Sequence, residues 1–403
     1  MASLLAIGLT LLLAAVALVA ADDKWIVFTD LEPDDAWMVL VLARARIVPS
    51  AMVVGAGPQM EMKVARARLW IRTFFPQQVA SIEIVRGDTS ENVFVAEGAA
   101  ERLRTTDRIN LNEYGVADER VPAIIKDAQR QGDDVRIISA KVMSELFRIW
   151  QSDNSIFRSV DAYSYLGFNV RCLYQVATSD VVAAFVNTAF KTHTLFETYP
   201  VLGKTNSCGN LTAPCFWVEF DRLCEQSPQL NLIRGLMVDW NKSIMDSCLL
   251  DVERVAVNEL GASQDDLRTL NSYLLRGDLD KARDTVWEFV DRSIDDVDAK
   301  VANLLRHAKV VTSVVLGGLD SQFVFADPLV ALYVGNYFPP QTEIKPVKFA
   351  VGTGALSGYS LFEPRAENDT TSTAFTVGLG EKLSKDDDTS YLMIVTNALQ
   401  SLL

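Results

Sequence analysis

The feature that most constrains this chain is a repeated alternation of short apolar runs with helical patterns, beginning at Trp25. Trp25–Thr29, Ala51–Val54, Ile82–Arg86, Val135–Ser139 and Tyr163–Leu166 read as strands without polar alternation. Between and after them, Asp34–Arg46, Met60–Phe75, Val121–Arg130, Val142–Gln151 and Asp180–Phe190 carry helical spacing. Met60–Phe75 sets its Arg and Lys on one side. Strands alternating with helices predict a parallel sheet. Apolar strands without a polar face predict that helices cover both sides of it. The fold class expected is therefore α/β: one large, doubly wound, mainly parallel sheet domain over residues 22–403. We find no repeat or long linker that would divide it.

Later segments are read more coarsely. Residues 192–261 form an irregular, cysteine-containing region expected to make loops, a disulfide and a rim. Asp265–His307 reads as helical and Val310–Leu316 as a strongly apolar strand. Asp327–Gly335 reads as a helix opening on Asp-Pro. The aspartates Asp278, Asp280, Asp284, Asp291, Asp295, Asp296 and Asp298 invite a metal reading. We take them as a solvated helix face paired with neighbouring Arg and Lys.

Residues 1–21 carry no charge, and only Ser3, Gly8 and Thr10 fall outside the apolar set. Val19-Ala20-Ala21 offers small residues before a cut near Asp22, so a secretory signal peptide is expected. An uncleaved signal anchor is the alternative, since the run is long enough to span a bilayer. The five cysteines, Cys172, Cys208, Cys215, Cys224 and Cys248, lack CxxC or Cys/His metal spacing. In an oxidising compartment some should pair, and an odd count leaves one over. Asn210-Leu211-Thr212, Asn241-Lys242-Ser243 and Asn368-Asp369-Thr370 are glycosylation triplets. The net charge of −14 argues against nucleic acid or an anionic membrane surface as partner.

The most informative segment is Thr29-Asp30-Leu31-Glu32-Pro33-Asp34-Asp35-Ala36, which joins the first strand to the first helix. In open parallel sheets ligands bind beyond the carboxyl ends of the strands, where Asp30 would sit. Pro33 suits a helix start and leaves Asp34 and Asp35 in the first turn. A helix N-terminus favours one carboxylate by roughly 0.3–1 kcal/mol. It cannot offset three or four, which repel unless protons or a cation compensate. A hard divalent cation with oxygen ligands, Ca²⁺ or Mg²⁺, answers that need. Helix capping by Asp34 and Asp35 is the competing explanation. Ala326-Asp327-Pro328-Leu329 repeats the pattern at a later helix start, and there too a cap explains Asp327 by itself.

These residues resemble the inosine–uridine preferring nucleoside hydrolase family. Its signature follows the first strand with Asp-x-Asp-Pro-Gly-x-Asp-Asp-Ala, and this chain reads Phe28-Thr29-Asp30-Leu31-Glu32-Pro33-Asp34-Asp35-Ala36. The family's last three aspartates match Asp30, Asp34 and Asp35. Its late His-Asp-Pro-Leu is similar to Ala326–Leu329. Val85-Arg86-Gly87 resembles the family's third-strand end, Phe168-Asn169 its Phe-Asn, and Gly354–Phe362 a C-terminal segment. Ile137–Leu146 lies where the family has Gly-Pro-Leu-Thr-Asn. The likeness runs from about residue 25 to the end, except that Thr192–Gly261 does not align.

The resemblance implies a secreted, Ca²⁺-dependent hydrolase that cleaves the N-glycosidic bond of ribonucleosides to ribose and free base. The metal ligands implied are Asp30, Asp34, Asp35, Asp327 and the Met143 carbonyl. Asp30 would be the general base, and Asp34, Asn169 and Asp327 would bind the ribose. The partner implied is a small-molecule nucleoside; a homo-oligomer is compatible with it.

The departures are specific. Phe28 replaces the first aspartate, and Leu31-Glu32 replaces Pro-Gly. Ala326 replaces the histidine that helps the base leave, and Gly167 a glutamate. An early asparagine has no match at Gly55–Gly57. Trp217, Trp240 and Tyr333 are candidates for stacking on the base, with core packing the competing role. Of the two histidines, His307 is read as solvated on the acidic helical stretch, and His193 as a surface residue, with reach to a site the alternative. A metal- and ribose-binding pseudoenzyme is therefore the alternative function. A haloacid-dehalogenase-type phosphotransferase would want Asp-x-Asp directly after the strand, where this chain has Asp30-Leu31-Glu32.

Overall fold

The computed structural model describes residues 23–55, 60–88, 109–165, 173–196, 216–317, 327–337, 343–352, 360–366 and 368–378. Their strands are β1 (Lys24–Thr29), β2 (Pro49–Val54), β3 (Glu83–Arg86), β4 (Val135–Ser139), β5 (Val160–Tyr165), β6 (Thr192–Phe196), β7 (Glu343–Val351), β8 (Ser360–Pro364) and β9 (Ala374–Gly378). The sheet order is β3-β2-β1-β4-β5-β6-β9-β7-β8. Pairing is parallel from β3 through β9, and β7 and β8 add an antiparallel edge. The order reverses between β1 and β4, so a crevice opens at their carboxyl ends.

Among the described residues, the helices of eight residues or more are α1 (Pro33–Arg44), α2 (Met60–Phe74), α3 (Ala117–Gln131), α4 (Ser144–Ser152), α5 (Ser179–Thr188), α6 (Phe216–Cys224), α7 (Pro228–Asn258), α8 (Gln264–Leu274), α9 (Leu279–Phe289), α10 (Val297–Gly317) and α11 (Asp327–Val334). Period-two strands split their side chains between two layers. Trp25 and Val27 of β1 join α1, α2, α7 and α11 on one face; Ile26 and Phe28 join α3, α4 and α5 on the other. Helix α1 is buried on every side from Ala36 to Leu42, as its nearly continuous apolar sequence requires. Each such large side chain contributes roughly 1.5–3 kcal/mol by leaving water. The α1 position, and with it the acidic loop before it, is thereby fixed.

Two expectations from sequence need correction. Val310–Leu316 is not a strand but the end of α10. Its β-branched run favours a strand locally, yet Val311 continues the stripe Val301, Leu304 and Ala308 packed with Val252, Val255 and Ala256 of α7. Packing overrides the weaker local preference. Residues 192–261 are also more regular than expected, holding β6, α6 and the 31-residue α7. Ser227 caps α7 by accepting the Leu230 N–H at 3.3 Å, and Pro228 opens it. Polar residues interrupting the apolar stripe hide this helix in the sequence.

Cys224 is a buried free thiol, which burial pushes up to about 11, and Cys248 is also free. Cys172, Cys208 and Cys215 lie outside the described residues, as do residues 1–21 and Asn210. Asn241 is buried on α7, which removes it as a glycosylation acceptor, whereas Asn368 is exposed. Asp278 and Asp280 pair with Lys281 and Arg283 at 3.0 and 3.2 Å on the surface of α9, as a solvated face does. Among the described residues, no helix is long and apolar enough to cross a membrane.

Candidate metal centre

Asp30 directly follows β1 at the mouth of the crevice. Leu31 then takes a left-handed backbone, φ 66°, which costs a non-glycine residue roughly 1–2 kcal/mol. Two contacts hold it there. Its N–H donates to Thr29 Oγ1 at 3.0 Å, and its carbonyl accepts from Arg66 Nη1 at 2.8 Å. The turn delivers Glu32 as the residue capping α1, with Pro33 in the first helical position. The Glu32 N–H donates to Asp35 Oδ2 at 2.9 Å.

Asp34 and Asp35 therefore leave the first turn of α1, and Asp327 leaves the first turn of α11 packed beside it. Asp34, Asp35 and Asp327 bring carboxylate oxygens within 4.8 Å of one another. Asp35 is fully buried and Asp327 almost so. Asp35 Oδ1 is buried with no hydrogen-bond donor. Burial, then the charge of Asp30, pushes Asp34 up to about 7. Burial raises Asp35 well above the usual carboxylate range, with Asp327 and Asp30 adding to it. Asp327 is raised by burial and then by Asp34 and Asp30, and Glu32 by burial and then by Asp30 and Asp34.

Crowded hard oxygen donors with one buried oxygen lacking a donor fit a divalent cation. Cap duty accounts for Asp35 Oδ2 but not for Oδ1. Asp327 reaches the cluster from the start of α11, which packs beside α1.

The remaining sequence candidates are placed as follows. Met143 caps α4, just past β4 and at the same end of the sheet. Its carbonyl accepts the Phe147 N–H at 2.8 Å, leaving a second lone pair. Asn169, Gly167 and Ala326 lie outside the described residues. Phe28 is buried in the core layer with α3 and α4, so its side chain serves packing. Tyr333 packs against Phe196 and Tyr163, with ring centres 5.4 and 6.2 Å away. Trp240 is half-buried on α7, and the side chain of Trp217 is outside the described set.

His193 is not a surface residue. It is fully buried on β6, between Ser164 Oγ at 2.8 Å and the Val186 carbonyl at 3.0 Å. Burial pulls it down to about 4, so it is neutral and part of the core. His307 is partly buried on α10, 3.7 Å from Asp251.

Sequence reasoning missed the bases around the acidic loop. Lys63 and Arg66 project from α2, and burial lowers both from their ordinary values. Lys141, after β4, pairs with Glu145 of α4, and both side chains are completely buried. The signal was present: Lys63 and Arg66 share one side of a helix, and Lys141 and Glu145 stand at i, i+4.

No protein-family model matches this sequence, and no curated protein matches it at a significant level. Among solved structures, the chain is similar to a purine-preferring ribonucleoside hydrolase from Gardnerella vaginalis. The TM-score is 0.52 at 11% identity, over 94% of this chain and 98% of that one. An inosine-guanosine nucleoside hydrolase gives a TM-score of 0.47 at 10% identity, over 94% and 98%. An inosine-uridine preferring nucleoside hydrolase from Bacillus anthracis gives 0.45 at 10%, over 94% and 99%. At such identities the likeness is one of fold.

Proposed function

We propose that this chain is a nucleoside hydrolase, cleaving the N-glycosidic bond of ribonucleosides to give ribose and a free base. The observation that carries the reading is the convergence of Asp34, Asp35 and Asp327, with an unsatisfied Asp35 oxygen, at the crevice beyond the carboxyl ends of β1 and β4, where the strand order reverses. The similarity of fold to a ribonucleoside hydrolase supports it. The cation we assign is Ca²⁺, held by Asp30, Asp34, Asp35, Asp327 and the Met143 carbonyl. When bound, it would orient the two ribose hydroxyls and acidify a water.

The chain's own groups do the rest. Asp30 takes a proton from the water as its oxygen bonds to C1′. The C1′–N bond breaks and its electron pair leaves with the base, which takes up a proton. Asp34 and Asn169 hydrogen-bond the sugar hydroxyls and keep C1′ facing Asp30. Positive charge develops on the ring, as in glycoside hydrolysis generally, and the surrounding carboxylates stabilise it. Residues 1–21 support export of the protein, by cleavage near Asp22 or as an anchor.

Ala326, where the resembled family places its leaving-group acid, favours a second reading: a cation- and ribose-binding protein without turnover. One experiment separates the two. Reducing-sugar release is measured over a panel of ribonucleosides with Ca²⁺, with chelator, and with Asp30→Ala. Ca²⁺-dependent release lost in the variant is expected. Silence across the panel with Ca²⁺ still bound selects the binding protein, and release indifferent to chelator removes the metal from the reaction.

A further inference from the structure

The peptide unit between Leu31 and Glu32 is held from both sides. Its carbonyl, on Leu31, accepts from Nη1 of the buried Arg66 of α2 at 2.8 Å. Its N–H, on Glu32, donates to Asp35 Oδ2 at 2.9 Å. A trans peptide is planar, so its carbonyl and N–H point in opposite directions and turn together. Holding the carbonyl toward α2 therefore aims the N–H at Asp35. That bond occupies one oxygen of Asp35 and leaves the other, Oδ1, buried without a donor in the carboxylate cluster. The peptide on the other side of Leu31 is held too, since the Leu31 N–H donates to Thr29 Oγ1 at 3.0 Å. Between the two held peptides lies the left-handed angle of Leu31, φ 66°, which glycine adopts freely and leucine does not.

We propose that Arg66 is a positioning residue for the cation centre: by holding the Leu31–Glu32 peptide it keeps Leu31 left-handed and keeps Asp35 Oδ1 available to the ion. Arg66 thus does by contact what a glycine at position 31 would do by conformational freedom. The proposal rests on the cation centre of the reading above and not on turnover. The charge of the guanidinium works in the other direction. It repels a nearby cation, so loss of the charge alone would tighten Ca²⁺ binding, whereas loss of the hold weakens it.

The test is Ca²⁺ titration calorimetry on the unmodified protein, Arg66→Gln, Leu31→Gly and the double variant. In Arg66→Gln we expect Ca²⁺ to bind about tenfold more weakly, because the relaxed turn must be rewound before the ligands converge. In the Leu31→Gly background the left-handed turn carries little penalty, and the same substitution should cost about threefold or less. Leu31 is wholly buried, so Leu31→Gly lowers Tm; the ratio of affinities is the readout, not Tm. An arginine that only braced the fold would give equal losses in the two backgrounds, and equal losses overturn the proposal. Unchanged or tighter Ca²⁺ binding in Arg66→Gln overturns it as well. If Arg66→Gln does not fold, Arg66→Lys carries the same cycle: it keeps the charge and loses the guanidinium fork, and its loss should again shrink in the Leu31→Gly background. Nucleoside hydrolysis by the unmodified protein is measured alongside. Silence there with Ca²⁺ bound defeats the hydrolase reading, while the cycle still decides the role of Arg66. Absence of Ca²⁺ binding by the unmodified protein defeats the proposal itself.

Discussion

Asp35 and Asp327 enter one cluster from the first turns of two helices far apart in sequence, their carboxylate oxygens within 4.8 Å. Burial raises both, and the like charge of Asp327 raises Asp35 further, while Asp34 and Asp30 do the same to Asp327. Asp327→Asn removes one of them, with opposite consequences in the two states of the site. In chelator the variant should be more stable than the unmodified protein, by on the order of 1 kcal/mol, since a buried repulsion is gone. With Ca²⁺ the unmodified protein should gain about 2.7 kcal/mol at a hundredfold excess over Kd. The variant should lose most of that gain. Thermal unfolding with and without Ca²⁺ reads both changes; a variant less stable in chelator would count against a repulsive cluster.

Asp34 gives the site a pH dependence. Its carboxyl, pushed up to about 7 by burial and Asp30, is partly protonated at neutral pH and must lose that proton to ligate a cation. Ca²⁺ affinity should therefore fall as pH drops below about 7, approaching tenfold per pH unit for one released proton. In the cation-free protein the sign is the reverse. A carboxyl raised on folding makes the folded state bind more protons between about pH 4 and 7, so stability falls as pH rises through that window. Calorimetry in two buffers of different ionisation enthalpy counts the proton directly. A binding enthalpy independent of buffer would exclude proton release.

What could be read from sequence, and what could not, divides along physical lines. The strand–helix alternation from Trp25 to Phe190 was legible because buried parallel strands need uninterrupted apolar runs. The Asp30–Asp35 loop was legible because the excess of carboxylates has no purely local explanation. The Asp327 partnership was legible only through the resemblance of Ala326–Leu329 to the family's late His-Asp-Pro-Leu; the packing of α11 against α1 that brings it there is encoded by no local pattern. Val310–Leu316 misled because β-branched residues also pack well along α10. His193 misled because a single polar residue in a strand says nothing about whether Ser164 and the Val186 carbonyl await it. Lys63 was visible as one basic residue among several on α2. Only the fold shows that it reaches Gly55.

The buried His193 sets an acid limit on stability. Its folded value is about 4, below the ordinary 6.5, so the unfolded chain binds the proton more readily between those values. Stability from this group is complete above about pH 6.5 and is lost as pH falls toward 4, by about 3 kcal/mol in all. The neutral ring accepts from Ser164 and donates to the Val186 carbonyl, so a second ring proton would face the Ser164 hydroxyl in a site shut off from solvent. Urea unfolding at pH 7, 5.5 and 4.5 measures the limb. Comparison with His193→Asn isolates it from the opposing trend of Asp34, and the variant should flatten the acid limb while starting from a lower stability at pH 7.

The Lys141–Glu145 pair makes the last prediction, and it concerns the frame rather than the chemistry. Both side chains are completely excluded from water, and Glu145 Oε1 also receives the Asp88 N–H at 2.6 Å. A buried ion pair contributes little net stability when whole, since desolvation cancels most of the attraction, but removing one partner strands the other charge. Lys141→Met should therefore cost about 3–5 kcal/mol, and Glu145→Leu a similar amount. The double variant should cost clearly less than the sum, because no charge is left without a partner. A residual cost of at most about 1 kcal/mol should remain in the double variant, since the part-buried Asp88 N–H loses its acceptor. A double-mutant cycle by urea unfolding measures the coupling. Simple additivity of the two losses would show that the charges do not act as a pair.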